Sequence, residues 1–505
     1  MSKTSEAPSP SEPATKGKVV FVNPPYERIA PGYDFLRHVT NRAPSLGLLH
    51  LAAMVREHGW TPAIVEGDVE GLDEEGVVQA VLRERPDYVG ITLFTVGVWS
   101  AAKIARRLKR ELPGLTIIVG GPHVSSMGRE TLERFFEFDV AADGEAEWIL
   151  VHLLEALRTG TDLEAVDGLL IRTDEGVVAT NKAQALDELD SLPLPAWDLL
   201  EGFPGAFRPA IFDFPRGPVA TIAASRGCPF HCRFCDTSTF GARLRAYTPA
   251  GVVGLMRHLS ERYGVRHIMF VDDLFLASRQ RVMEFCDRLE ESGLGMTWTC
   301  TARVDTVKPD ILARMREVGC WEISFGLETG SDALLKAMDK VASVAKSELA
   351  VGWTAAAGIR TKGLFMLGYP GETLATIEET KAFARRIPMD MMNLTKFTPY
   401  PGSPIYRDLY GTNIRADHWE KMNGMNFLWA PEGLTDNELD AHYQEILRHF
   451  YRQPRVLRHY LALSLRHPGH VGRLVCFGFG VLRAKLRGVF RGRGPALIPE
   501  SSPQL

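Results

Sequence analysis

The chain is short of cysteine: seven in 505 residues, three of them in one run, with Cys286, Cys300, Cys320 and Cys476 scattered singly. That usage excludes a disulfide scaffold and suits a reducing cytosol. No run of about 18 apolar residues lacks a charge, so no spanning helix is expected. The N-terminus, MSKTSEAPSPSEPATKGK, has no apolar core, which excludes a signal peptide and reads as a disordered tail over 1–17. A net charge of −4 excludes generic nucleic-acid binding by bulk charge. No internal repeat is present. One further deficit is local: from Ile446 to Pro499 there is no Asp or Glu, against ten arginines and Lys485. Apolar residues interleave there, as in RVLRHYLALSLRH (455–467). This basic, amphipathic end reads either as peripheral membrane contact through 446–494 or as a helical cap with solvated arginines.

What is present is ordinary for a globular protein: 45% hydrophobic and 24% charged residues, in a length that predicts two to four domains. Residues 18–150 alternate strand and helix. VVFVNPP (19–25), TPAIVEGD (61–68), DYVGITLF (87–94), LTIIVGGPH (115–123) and FDVAADGEAE (138–147) read as strands. Helical periodicity fills 45–59, 74–86, 99–112, 129–136 and 148–160. The alternation predicts a doubly wound parallel α/β sheet, whose ligands sit beyond the carboxyl ends of the strands. Residues 151–215 hold a predicted hairpin at 168–180 and a Pro-containing linker. Residues 216–405 repeat the alternation with six strands, beginning at GPVATIAAS (217–225), and predict a partial β/α barrel. Residues 406–505 form the mostly helical basic end.

The first strand of that barrel delivers Cys228-Pro-Phe-His-Cys232-Arg-Phe-Cys235. Three thiolates at C-x3-C-x2-C spacing suit three irons of a cubane cluster, leaving the fourth open to a non-protein ligand. A Cys3His zinc site through His231 fits the spacing as well. The position at a barrel strand end favours the cluster. Other polar groups fall at strand ends too: Asp272-Asp273, Arg303, Glu328 and Tyr369-Pro370-Gly371-Glu372. Cys286, Cys300 and Cys320 read as buried structural thiols.

RGCPFHCRFC, with aromatic Phe234 before the third cysteine, resembles the signature loop of radical S-adenosylmethionine (SAM) enzymes. FVDDLF (270–275), TARVD (301–305), FGLETGS (325–331) and FMLGYPGET (365–373) resemble the subgroup with an N-terminal cobalamin-binding domain. The likeness spans roughly 18–405. It implies a [4Fe-4S] cluster on Cys228, Cys232 and Cys235, SAM on the open iron, and reductive cleavage to a 5′-deoxyadenosyl radical. Phe234, Asp272, Asp273, Arg303, Glu328, Gly368 and Gly371 then become expected SAM contacts, with Arg303 at the methionine carboxylate. Glu328 is expected at the ribose or as a clamp on Arg303, and Gly368 and Gly371 near adenine. The resemblance also implies cobalamin over 18–150, with Asn23, Pro24, Thr92, Thr95, Gly120, Gly121, His123, Gly144 and Glu145 as expected contacts. The D-x-H-x-x-G cobalt-ligand motif is absent, so cobalamin is expected without a histidine from that pattern. The implied activity is C-methylation of an apolar or anionic substrate such as a lipid or porphyrin. An external electron donor such as flavodoxin or ferredoxin goes with it. Oxidative cyclisation of a porphyrin shares the motifs, and a non-catalytic cobalamin sensor is the alternative outside enzymes.

Overall fold

A computed structural model describes residues 15–25, 41, 43–207 and 209–486. Most of the expected N-terminal tail, and the basic segment from 487 onward, lie outside the described residues. Thr15 and Lys16 are already tied down, through Thr61 and Glu155.

The first unit runs β1 (Lys18–Asn23), α1 (Leu46–Glu57), β2 (Thr61–Glu66), α2 (Gly67–Glu70), α3 (Glu74–Glu84), β3 (Tyr88–Thr92), α4 (Val98–Glu111), β4 (Thr116–Gly120), α5 (Pro122–Arg134), β5 (Val140–Ala142), α6 (Ala146–Thr159), β6 (Leu169–Thr173) and β7 (Gly176–Ala179). Its sheet has the order β2-β1-β3-β4-β5-β6-β7, the first five strands parallel. Val19 to Val22 are fully buried because helices cover both faces, which is why β1 reads as an unbroken apolar run. The order reverses between β1 and β3, opening a crevice at the carboxyl ends of those two strands.

Two expectations change here. The hairpin at 168–180 is not part of a bridge: β6 pairs antiparallel with β5 and extends the first sheet past residue 150. Its inward residues Leu169, Leu170 and Ile171 find their apolar partners on that sheet. Helix α5 begins at Pro122, not 129. Proline is well placed in a first helical turn. The kink at Met127 breaks the apolar period, so only the second half shows in the sequence.

The second unit runs β8 (Val219–Ile222), β9 (Ser225–Arg226), β10 (Arg245–Ala246), α7 (Pro249–Tyr263), β11 (His267–Phe270), α8 (Arg279–Ser292), β12 (Thr297–Ala302), α9 (Pro309–Glu317), β13 (Cys320–Glu328), α10 (Asp332–Ala337), α11 (Val344–Ala356), β14 (Arg360–Leu367), α12 (Leu374–Arg386) and β15 (Met391–Lys396). Six strands lie parallel in chain order, β8 through β15 without β9 and β10, and the two ends of this sheet do not pair among the described residues. The barrel is therefore partial. Cys286, Cys300 and Cys320 are buried in its core.

Helices α13 (Pro404–Tyr410), α14 (Asp436–Tyr451), α15 (Pro454–Arg466) and α16 (Pro468–Leu486) complete the chain. An uncovered edge strand invites pairing with other chains. Here α14 covers β15, and the hydroxyls of Tyr443 and Tyr451 donate to the carbonyls of Leu394 and Met392. Val456 and Leu463 of α15 are buried, as a cap requires, while Leu457, Leu461 and Leu465 are exposed on its other side. Among the described residues no helix is long and apolar enough to cross a membrane.

Candidate active site

The carboxyl ends of both parallel sheets open onto one cavity of about 1320 Å³. Sites for single small molecules usually span about 300–1,000 Å³, so this volume suits more than one bound group. The first unit contributes Asn23, Thr92, Gly120 and Gly144, and the second contributes Cys228, Cys235 and Asp273. Much of the remaining lining is apolar, including Phe21, Leu51 and Phe94.

The cysteine loop is built by short-range constraints. Strands β9 and β10 pair at its base, and the Cys228 amide donates to the Gly241 carbonyl at 3.3 Å. Gly227 has φ +83°, and a Cβ there would lie 2.4 Å from the Arg243 carbonyl oxygen, so only glycine fits. Its amide donates to Asp273 at 3.0 Å. Arg233 is held on both sides: its amide donates to the Met338 carbonyl at 3.0 Å, and its carbonyl accepts from Ile405 at 2.9 Å.

The donor chemistry suits a polynuclear cluster. Burial and the neighbouring Cys232 and Cys228 push the Cys235 thiol up to about 12. Burial also raises Cys232, against the opposing charges of Lys340 and Arg303. Three thiolates this close repel one another and need a cation among them to ionise together. His231 is exposed. Three cysteines on one loop, with this histidine turned out to solvent, suit the three-thiolate cluster set.

Arg303 is the most constrained of the expected SAM contacts. Its guanidinium donates to both oxygens of Asp305, at 3.0 and 2.9 Å, and to the Val341 carbonyl at 3.0 Å. It stacks 3.6 Å from the Phe230 ring centroid and lies 3.9 Å from the Cys232 sulfur. Glu328 does not clamp it. That carboxylate pairs instead with buried Lys340, which lies 5.8 Å above the Phe234 ring. Gly326 leaves room for the pair: a Cβ there would lie 2.7 Å from both Glu328 Oε1 and Lys340 Nζ. Asp305 and Lys340 were missed in the sequence, although Asp305 closes the TARVD motif and marks itself as the nearest carboxylate to Arg303.

The two aspartates separate. Asp272 is buried, and its oxygens accept from the Ala224 amide and the Ser225 hydroxyl. Burial raises it to about 6 despite those bonds. It fastens β11 to the start of the cysteine loop rather than facing a ligand. Asp273 lines the cavity. Gly368 packs against Phe427 and donates its amide to Glu372 at 3.0 Å. Gly368 and Gly371, like Arg303, Phe234 and Glu328, are not among the residues that line the cavity; both glycines have a positive φ, as the turn between β14 and α12 requires. Glu372, buried and pushed up to about 7 by that burial, anchors this turn.

On the first unit, Asn23, Thr92, Thr95, Gly120, Gly121, Gly144 and Glu145 reach the cavity; Pro24 and His123 do not. Gly121 has φ +100°, and a Cβ there would lie 2.8 Å from Thr92 Oγ1, so it allows β4 to turn against the end of β3. His123 sits in the first turn of α5, bonded to Thr95 at 3.0 Å and edge-on to Trp419 at 4.5 Å. Burial lowers it to about 3, so it is a neutral packing residue. Glu145 is committed elsewhere: it pairs with Arg226 at 2.7 Å and with Arg245, while Arg226 also reaches Glu147 at 2.6 Å. These side chains are all buried, and they join the first unit to the residue two places before Cys228.

Two buried polar atoms at the cavity have no hydrogen-bond partner among the described residues. Asn23 donates to Glu66 at 2.8 Å, leaving its Oδ1 unpaired. Burial raises Glu66 to about 7. His50 also lines the cavity with an unpaired Nδ1, and burial, then the charge of Arg226, lowers it to about 4. Orphaned polar atoms in a cavity wall fit a ligand with its own donors and acceptors, such as the amide-bearing rim of a corrin. His50 escaped the sequence reading; its signal is a single polar residue in the apolar helix LGLLHLAAM.

The profile of the Radical SAM superfamily matches residues 222–384, and that of the B12 binding domain matches residues 34–154. A protein of Pyrococcus horikoshii described as an uncharacterized methyltransferase is 29% identical over 442 residues, covering 87% of this chain and 94% of its own. The anaerobic magnesium-protoporphyrin IX monomethyl ester cyclase of Rubrivivax gelatinosus is 27% identical, covering 88% of this chain and 79% of its own. The structure of TsrM, a radical SAM methyltransferase from Kitasatospora setae, superposes with a TM-score of 0.64 at 18% identity, covering 78% of this chain and 76% of its own. That last likeness is one of fold.

Proposed function

We propose, on the premise that the chain is a radical SAM enzyme with a B12-binding domain, that it methylates an unactivated carbon of a small molecule. The observation that carries this reading is the shared cavity, reached by Cys228 and Cys235 from one side and by the ends of β1, β3 and β4 from the other. Methyl transfer needs both cofactors at one substrate. When bound, the cluster and SAM supply a hydrogen-abstracting radical, and cobalamin supplies the methyl group. Cys228, Cys232 and Cys235 hold the cluster. Arg303, pre-set by Asp305 and Phe230, receives the SAM carboxylate. Asp273 lines the cavity, and Phe234 of the loop meets Lys340 of the buried Glu328–Lys340 pair. Asn23, Thr92, Thr95, Gly120, Gly121 and Gly144 form the cobalamin wall, with His50 beside them.

The largely apolar cavity suits a lipid, a porphyrin or another natural product of similar character. Electrons come from an external donor such as flavodoxin or ferredoxin. Exposed Leu457, Leu461 and Leu465, on a segment without acidic residues, support peripheral contact with a membrane surface. Replacing Leu461 and Leu465 with Ser should weaken binding to anionic vesicles; unchanged binding contradicts that contact.

The second reading is oxidative cyclisation of a porphyrin, favoured by the alignment of the Rubrivivax cyclase along 88% of the chain. Anaerobically reconstituted enzyme, turned over with methyl-labelled SAM, decides between them. Methylation puts label in the product and releases S-adenosylhomocysteine with 5′-deoxyadenosine. Turnover without label in the product rejects methyl transfer and leaves cyclisation.

A further inference from the structure

A second cavity lies at the opposite end of the partial barrel, where β13, β14 and β15 begin. Its volume is about 450 Å³. It forms between those strand starts and the inner face of α15. Among the described residues Arg316, Arg360, Arg455 and Arg466 line it together with His459 and His467, and Asp390 is the one carboxylate.

The charges do not balance. Arg360 pairs with Glu322 at 2.8 Å, and Asp390 takes His459 at 3.1 Å. Arg316, Arg455 and Arg466 make no ion pair among the described residues. Arg455 donates only to Gln453 and to the Ala384 carbonyl. Burial lowers Arg455 below its ordinary value, and His459 and His467 are lowered too, by burial first and then in part by Arg466. Two buried nitrogens, Arg360 Nε and His459 Nε2, have no hydrogen-bond partner among the described residues. Arg360 is only 6% exposed. Three guanidiniums without an ion pair among the described residues line one concavity, Arg455 half-buried and Arg316 and Arg466 exposed, beside buried Arg360, and such an arrangement describes an anion site.

We propose that this cavity binds a phosphate ester. A carboxylate would neutralise one of three unpaired guanidiniums, whereas a phosphate brings up to two charges and oxygens in several directions. Arginine forks match that geometry. Ile359, Met389 and Leu463 supply an apolar margin for the esterified group. The ester is either a lipid headgroup or a soluble phosphate. The outer face of α15 carries the exposed leucines, so a lipid would place both faces of this helix at one surface. The inference concerns a site remote from the cysteine loop and does not depend on the methyl-transfer reading.

The test uses full-length reconstituted enzyme, with inorganic phosphate against chloride at matched ionic strength, followed by calorimetry and thermal melting. Arg466 is exposed, so Arg466→Gln should fold normally; Arg455→Gln/Arg466→Gln is the stronger perturbation. Each lost charge-assisted bond should weaken phosphate binding by roughly tenfold, with iron content and circular dichroism unchanged in Arg466→Gln. Vesicles of phosphatidylcholine with and without phosphatidic acid locate the source. Vesicle binding that phosphate displaces and Arg466→Gln weakens assigns a lipid headgroup. Variant-sensitive phosphate binding without vesicle competition assigns a soluble ester. No phosphate binding by the unmodified enzyme, or binding by both Arg466→Gln and the double variant as tight as that of the unmodified enzyme, overturns the proposal.

Discussion

Replacing Arg226 with Met tests how the two cofactor domains are held together. Arg226 donates to Glu145 at 2.7 Å and Glu147 at 2.6 Å, with all three side chains at most 8% exposed. Arg245 still neutralises Glu145 in the variant, so Glu147 is the charge left without its partner. Stranding one member of a buried pair costs about 3–5 kcal/mol. For a cooperative unit of about 150–250 residues, that lowers the melting temperature by roughly 6–20 °C. The pH dependence carries the sign. In the native chain burial raises the Glu147 pKa, but the charge and hydrogen bond of Arg226 outweigh it, so the net shift is downward. A depressed carboxylate stabilises above its unfolded value, near 4.5, and that contribution fades as pH falls through the folded value. In Arg226→Met the burial that raises Glu147 is opposed only by His50 and a backbone hydrogen bond, so Glu147 moves up, and acidification from neutral should recover part of the lost stability. His50, released from the charge of Arg226, moves the same way. Differential scanning calorimetry between pH 7 and 5 gives both readouts, and adding Glu147→Gln should restore much of the loss at pH 7. A variant melting within about 1 °C of the native chain at pH 7 refutes the idea that this triad fastens the domains.

Cys232→Ala should lose the cluster and all 5′-deoxyadenosine formation, measured by iron content and chromatography; retained turnover contradicts the ligand assignment. Gly227→Ala places a methyl 2.4 Å from a backbone oxygen, so it should lose iron while the helical circular dichroism persists. Arg303→Lys breaks the two-pronged bond to Asp305 and should weaken SAM binding at least about tenfold, whereas Glu328→Gln, whose partner is Lys340, should change it less; the reverse order is evidence that Glu328 makes the SAM contact. His123→Phe should leave cobalamin affinity within about twofold by absorbance titration, since His123 packs on Trp419 outside the cavity; loss of binding restores it as a ligand.

The parts legible in the sequence are those governed by short-range rules. An apolar run such as Val19 to Val22 is a buried parallel strand wherever it occurs, and three cysteines in eight residues meet whatever the fold does. Partner choice is another matter. Glu145 stands at a strand end like a ligand-facing group, yet Arg226 and Arg245 capture it across the domain boundary. Glu328 reaches Lys340 rather than Arg303 because a register shift beyond Gly326 redirects it. His123 was placed on a strand end because Pro122 and the Met127 kink conceal the start of α5. None of these contacts leaves a periodic trace, because each depends on how two distant segments dock.

The grip on Arg233 also has a consequence in time. Its side chain pairs with Asp408, 175 residues further along. The same C-terminal segment seats Tyr406, Trp419 and Met422 in the core of the first unit. At about 5–20 residues per second, synthesis takes roughly 9–35 s to travel from one partner to the other. Through that interval the cysteine loop exists without the clasp that later closes one flank. Delivery of iron and sulfide to the growing chain therefore meets a more accessible loop than delivery to the finished protein. Ribosome-bound chains halted before residue 404 should take up a cluster faster than the completed enzyme, and equal rates would show that the clasp does not limit entry.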